Sequence, residues 1–292
     1  MIYDIRHVTT YAYESPVNFA RCSLRLEPKS GDGQQLLSHN VEIKPLPLER
    51  SQRTDFFGIQ TESIVIESAH RMLRIDSRSR VTVSRTAPAR DMDSLGWEQV
   101  REVAFASNSL MASSPVGYLF ASPLVPIQLP VTDYAAQSFF PGRGIFVATV
   151  DLMHRINSNF VYDTKATEIS TPLEDVFKKR RGVCQDFAHV MIAGLRGLGL
   201  PAAYVSGYLR TTPPPGRPRL QGADATHAWV SVWFGGDIGW IGLDPTNDLV
   251  VGNDHVVLAT GRDYTDVSPV DGVIVGSRKQ KLTVAVDVIP VE

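Results

Sequence analysis

The first 85 or so residues alternate apolar and polar side chains with period two, and no helical period interrupts them. The runs Met1–Tyr13, Ala20–Glu27, Leu37–Lys44, Ser63–Glu67 and Leu73–Val83 carry this pattern. Turn-forming clusters divide them: Glu14-Ser15-Pro16, Lys29-Ser30-Gly31-Asp32-Gly33 and Pro45-Leu46-Pro47. A strand of this kind shows one face to a core and the other to water, so several in succession need a second sheet to cover them. Residues 1–88 are therefore expected to form an all-β sandwich-like domain, with Thr86–Asp93 as a linker.

Beyond the linker the texture changes. Ser94 is placed to cap a helix running to about Ala106, and Thr132–Ser138 reads as a short one. Gly144–Asn157 gathers Ile145, Val147, Val150, Leu152, Met153 and Ile156 roughly on one helix face. Residues 171–180 follow a Thr171 N-cap and Pro172, with Glu174 and Asp175 in the first turn. A further helix starts near Cys184, then strands Ala203–Leu209, Ala228–Phe234 and Gly239–Leu243, and the tail Lys281–Pro290 alternates as a strand. Residues 89–292 thus read as one α+β domain. Thr211–Ala225 is too rich in Pro and Gly for regular structure and is expected to be a surface loop or a cleft-side lid.

With 29 basic and 31 acidic residues the formal net charge is −2, which gives no general attraction to nucleic acid or to an anionic membrane. No apolar run approaches the roughly 20 residues of a membrane-spanning helix. Asp4, Arg6 and His7 stand where an export signal needs an apolar block, so a cytoplasmic protein is expected. The two cysteines, Cys22 and Cys184, make neither a disulfide framework nor a thiolate cage. With no HExxH, and with His154, His189 and His255 lacking a coherent ligand spacing, neither a metal nor an organic cofactor is expected.

The chemistry concentrates in three blocks. Cys184 precedes an apolar stripe at Phe187, Val190, Met191, Gly194, Leu195 and Leu198, one buried helix face. Gly182 disfavours helix, so the thiol stands at the helix N-terminus, where unpaired N–H groups and the helix dipole favour the nucleophilic thiolate. His227 opens the strand pattern Thr226–Phe234, Gly235-Gly236 signals a hairpin, and the return strand ends at Asp244-Pro245. A two-residue Gly-Gly loop makes paired positions sum to 471, which sets His227 opposite Asp244 on one sheet face. A carboxylate there would fix the imidazole tautomer, and the imidazole would take the thiol proton.

Arg181–Ala188, His227–Val230 and Gly239–Asn247 together resemble the bacterial transglutaminase-like proteins, often described as cysteine proteases. Gly261–Pro269 resembles a further signature of that group, and the N-terminal β region resembles its N-terminal domain. The resemblance implies a papain-like α+β core, a helix bearing Cys packed on an antiparallel sheet bearing His and Asp. It also implies a Cys184–His227–Asp244 triad and acyl transfer through a thioester. Substrates would be peptides or proteins with a glutamine-like or isopeptide amide, and the acceptor would be water or an amine.

Around the triad, the backbone N–H of Cys184 is a candidate oxyanion donor. Proteins of this resemblance draw a second donor from an upstream side chain, for which Tyr162 is the candidate. Gln185, Asp186 and Trp229 complete the set of possible substrate contacts. Asp186 lies about 200° around the helix from Cys184, so it is either a first-turn acid or a carboxylate facing an incoming amine. His189, about 140° away, reads as structural. Arg262, Asp263 and Asp266 are expected to form a buried ion-pair corner. Two other functions compete: an arylamine-type acyl transferase, for which no phosphate-binding segment is visible, and a scaffold that keeps the fold without turnover.

Overall fold

The computed structural model describes residues 1–86, 88, 92–211 and 225–291. Six strands come first: β1 (Ile2–Val17), β2 (Phe19–Leu24), β3 (Gln34–Lys44), β4 (Glu49–Thr54), β5 (Gln60–Ile66) and β6 (His70–Val83). Then follow α1 (Trp97–Phe105), α2 (Leu129–Ala136), α3 (Ile145–Asn159), β7 (Val161–Tyr162), α4 (Leu173–Lys179), β8 (Arg181–Gly182) and α5 (Cys184–Gly197). The chain ends with β9 (Ala202–Leu209), β10 (Ala225–Trp233), β11 (Trp240–Asp244), β12 (Leu249–Val250), β13 (His255–Gly261), α6 (Tyr264–Val267), β14 (Val270–Val275) and β15 (Gln280–Val291).

Two four-stranded antiparallel sheets, β15-β1-β6-β3 and β14-β2-β5-β4, form the expected sandwich. Leu24, Ile43, Ile64, Ile66, Leu73 and Ile75 fill its interior. The tail, read from sequence as part of 89–292, instead pairs with the N-terminal strands. β15 runs along β1 from Ile2↔Val291 to Tyr13↔Gln280, and β14 along β2. Alternation marks a strand but carries no information on its partner. Sequence reading also misses β4, because all six residues of Glu49–Thr54 are exposed on a sheet edge and none marks a buried face.

The second unit is an antiparallel sheet, β12-β11-β10-β9-β13, with α5 against β9 and β10. Ala228, Val230 and Val232 of β10 share one core with Phe187, Val190 and Met191 of α5. Tyr3, Val81, Val83, Val286 and Val288 of the sandwich belong to that same core. The two units are therefore joined by continuous apolar packing as well as by polar contacts such as His7 Nδ1 with the Tyr208 hydroxyl, 2.9 Å.

Two caps differ from expectation. Gly96, not Ser94, precedes α1, and the Ser94 hydroxyl instead accepts the Phe146 N–H at the start of α3. Pro172 rather than Thr171 is the N-cap of α4. Among the described residues no helix is long and apolar enough to cross a membrane.

Candidate active site

β8 leads directly into α5. Tyr162 of β7 pairs in parallel with Gly182 of β8, so the chain arrives at Cys184 as a short extended ledge. The helix begins at Cys184 because Asp186 caps it. Its Oδ2 accepts the Val183 N–H at 2.8 Å and the Thr167 hydroxyl at 2.7 Å. A Cβ on Gly182 would stand 2.3 Å from that oxygen, so glycine is what admits the cap. Cys184 is half-buried, and its N–H belongs to the first turn, which has no carbonyl inside the helix to donate to.

The hairpin register differs from the expected one. Val230 pairs with Leu243 and Trp233 with Trp240, so positions sum to 473 and the loop spans Phe234–Gly239. The shift is two residues, and side chains alternate with period two, so His227 and Asp244 still share a face, now as diagonal neighbours. His227 Nε2 lies 2.7 Å from Asp244 Oδ2, with His227 nearly and Asp244 fully buried. The Asp244–Pro245 turn holds the other oxygen: Oδ1 accepts the N–H groups of Thr246 at 3.0 Å and Asn247 at 3.2 Å. Asn247 Nδ2 donates to Oδ2 at 2.8 Å.

With Nε2 committed to Asp244, Nδ1 is the imidazole nitrogen left for the thiol. Burial alone would lower the His227 pKa. Hydrogen bonding and charge from Asp244 and Cys184 outweigh it and raise the pKa to about 9. Asp244 is lowered despite burial, because His227, His255 and Asn247 all donate to it. The buried Asp244 carboxylate thus favours the charged imidazole in the ring that also feels the Cys184 sulfur.

Tyr162 lies half-exposed beside Cys184. Partial burial and the nearby sulfur raise its phenol above the ordinary value, so it stays a hydrogen-bond donor at neutral pH. Gln185 points away to the Ile169 carbonyl, 3.3 Å. Asp186 is 4% exposed, and its Oδ2 serves the cap of α5. Trp229 is a buried wall, its ring 6.1 Å from that of His227 and edge-on to His255 at 5.2 Å.

His189 is buried and pushed down to about 4 by burial, as befits a structural histidine. The expected ion-pair corner splits into two. Arg262 and Asp266 make a two-pronged pair at 2.9 and 3.0 Å, while buried Asp263 accepts from Leu124 N, Thr265 N and the Thr265 hydroxyl. Behind them Arg196, 2% exposed, donates to the carbonyls of Phe120, Ala202 and Arg262. The loop read over 211–225 lies, in 212–224, outside the described residues.

Two members of the network escape sequence reading. Asn247 sits in the Asp-Pro-Thr-Asn turn, where its role was invisible without the turn's closure. His255 lies on β13, a strand sequence reading did not assign, and its Nε2 comes within 3.2 Å of Asp244 Oδ2. His255 lacks a ligand pattern in sequence. In the fold, ligand atoms of His227, Asp244 and His255 gather within 4.8 Å of one another, a group able to hold a metal ion. The fit is poor: all three side chains are buried and those atoms already bond one another, so a cation would have to break the His227–Asp244 hydrogen bond.

This fold, a Cys-headed helix on an antiparallel sheet after a β domain, is that of a transglutaminase-like protein. The bacterial transglutaminase-like N-terminal region matches residues 3–82, and the transglutaminase-like superfamily core matches residues 146–245. The chain belongs to the bacterial transglutaminase-like family. An uncharacterised protein of Mycobacterium tuberculosis is 39% identical over 299 residues, covering 99% of this chain and 93% of that one. One from Mycobacterium leprae is 30% identical over 286 residues, covering 97% and 96%. A protein-glutamine gamma-glutamyltransferase of Pseudomonas aeruginosa is 35% identical over 99 residues, 32% of this chain and 15% of its own. The crystal structure of a "putative cysteine protease" from Cytophaga hutchinsonii superposes with a TM-score of 0.72 at 21% identity, covering 100% of this chain and 92% of that one. At that identity the likeness is one of fold.

Proposed function

We propose that the protein is a cysteine-dependent acyl-transfer enzyme acting on amide bonds, with Cys184 as nucleophile, His227 as acid and base, and Asp244 as orienting carboxylate. The observation that carries this is the buried 2.7 Å His227–Asp244 pair, whose ring also feels the thiol heading α5. The Cys184 thiolate adds to the amide carbonyl carbon. The C–N bond then breaks as His227 Nδ1–H protonates the departing amine, leaving a thioester. Water or a second amine gives a proton back to Nδ1 and attacks, and the C–S bond breaks to restore the thiolate. The Cys184 N–H and the Tyr162 hydroxyl are the donors available to the oxyanion.

The substrate class is a peptide or protein carrying a glutamine-like or isopeptide amide. Family membership and the likeness of about a third of the chain to a protein-glutamine gamma-glutamyltransferase support it. The test is iodoacetamide labelling of Cys184 at pH 6.5 in a Cys22→Ala background. His227→Ala is expected to label at least about tenfold more slowly. Slow and equal labelling of both proteins would overturn the proposal. Mass analysis of a glutamine peptide incubated with and without a primary amine then separates hydrolysis from amine transfer.

A further inference from the structure

Among the described residues, every donor to Asp244 except the two imidazoles comes from its own turn: the N–H groups of Thr246 and Asn247, and the Asn247 amide. These donors move with Asp244 and cannot hold it from outside the β10–β11 hairpin. His255 can. It begins β13, opposite Leu209, with β9 and β10 between it and β11. Its ring reaches back to Asp244 Oδ2, backed by Trp229 and 2% exposed. Among the described residues its Nδ1 is buried without a hydrogen-bond partner, so the ring's orientation is set by the bond to Asp244.

The strand start that carries His255 is held by the N-terminal sandwich. Arg85 Nη1 donates to the carbonyls of His255 at 2.5 Å and Gly252 at 3.1 Å, and the Arg85 N–H to Asn253 Oδ1 at 2.8 Å. Gln34 brackets Val257, donating to its carbonyl and accepting its N–H, both at 2.8 Å. The Tyr3 hydroxyl donates to Asp254 Oδ1 at 2.9 Å. Residues 252–257 are thus clamped from one side by three side chains of the other unit.

We propose that His255 is a positioning residue for Asp244, and that the N-terminal sandwich acts on the active site through the clamped segment that carries it. This rests on the Cys184–His227–Asp244 reading above. A carboxylate held from β13 keeps His227 Nε2 engaged and Nδ1 turned to the sulfur. Outer partners that orient a first set of groups commonly change activity by an order of magnitude or more.

The experiment is the pH profile of Cys184 labelling by iodoacetamide in the Cys22→Ala background, with proton NMR of the downfield His227 Nε2–H resonance. His255→Ala is expected to label about tenfold more slowly at pH 6.5 and to lose that resonance. His255→Gln, which sets an amide nitrogen where Nε2 lies, recovers most of both. Arg85→Met, with His255 in place, slows labelling in the same direction by a smaller factor, and it serves as the test should His255→Ala fail to fold. Unchanged labelling in these variants overturns the proposal. Faster labelling overturns it too, because His255 would then be drawing on the charge of Asp244 instead of holding it. If the parent protein labels no faster than His227→Ala, the triad reading itself fails and the positioning role falls with it.

Discussion

Gly207 of β9 lies beneath the ring of Trp229 on β10: a Cβ there would stand 2.5 Å from Trp229 Cη2 and 2.1 Å from the Val256 carbonyl oxygen. The strand position opposite His227 is thus emptied so that the indole can pack against both histidines, tilted to His227 and edge-on to His255. Gly207→Ala must displace either the ring or β13. The expected cost is about 3 kcal/mol in urea unfolding, with altered tryptophan fluorescence. A loss below about 0.5 kcal/mol would show that the contact relaxes freely.

The His227–Asp244 pair predicts a pH window. The folded pKa of His227, about 9, lies above its ordinary 6.5, so its contribution is complete below 6.5 and is lost as pH rises through about 9. Asp244 is lowered from 3.8, so its contribution is present above that value and fades as pH falls below it. The gap in unfolding midpoint between wild type and His227→Gln is therefore widest between about pH 4 and 6.5 and narrows steadily towards 9. A gap constant with pH would mean that His227 titrates alike in the folded and the unfolded protein.

Gly182→Ala attacks the same site from the helix end. The new methyl would occupy the place of the Asp186 carboxylate and leave the Val183 N–H and Thr167 hydroxyl without their acceptor. The expected destabilisation is about 2–3 kcal/mol by denaturant titration, with slower labelling of Cys184 as the first turn of α5 frays.

Arg196 serves three carbonyls and the Ser122 hydroxyl from inside the core. Lysine has a single nitrogen and cannot span acceptors on separate segments. Arg196→Lys is expected to cost about 2–4 kcal/mol, read as a fall in thermal midpoint. An unchanged midpoint would show the guanidinium's fork to be dispensable.

Removing residues 276–292 would take β15 from the edge of its sheet and draw Val286 and Val288, both buried, out of the shared core. The truncated protein is expected to lose its near-ultraviolet circular dichroism and to aggregate. A soluble product with a native spectrum would show that the sandwich closes without its last strand.

Sequence pattern reached most of the elements because each buries one face. The stripe from Phe187 to Leu198 and the alternation of β1, β6 and β10 follow directly from burial. The site was legible where chemistry lies in local motifs, Cys184 at a helix start and His227 and Asp244 across a hairpin. The register was off by two because Gly235-Gly236 is not the whole loop, and period two hid the error by keeping both side chains on one face. His255 stayed invisible because it reaches Asp244 from a strand two removed from β11's neighbour in the sheet order, a relation no spacing encodes. Asp186 was ambiguous because a capping acid and a substrate-facing acid occupy the same first-turn position.

The pairing of Ile2 with Val291 sets a condition on biosynthesis. At roughly 5–20 residues per second, β1 leaves the ribosome about 15–60 s before the strand that completes its edge. Throughout that interval β1 presents a long open rim to any neighbouring nascent chain. The Thr9 and Thr10 stretch and the Arg6–Asp76 ion pair keep that rim from being uniformly apolar. Until β15 is laid down, the sandwich that clamps residues 252–257 also lacks Val286 and Val288 of the shared core.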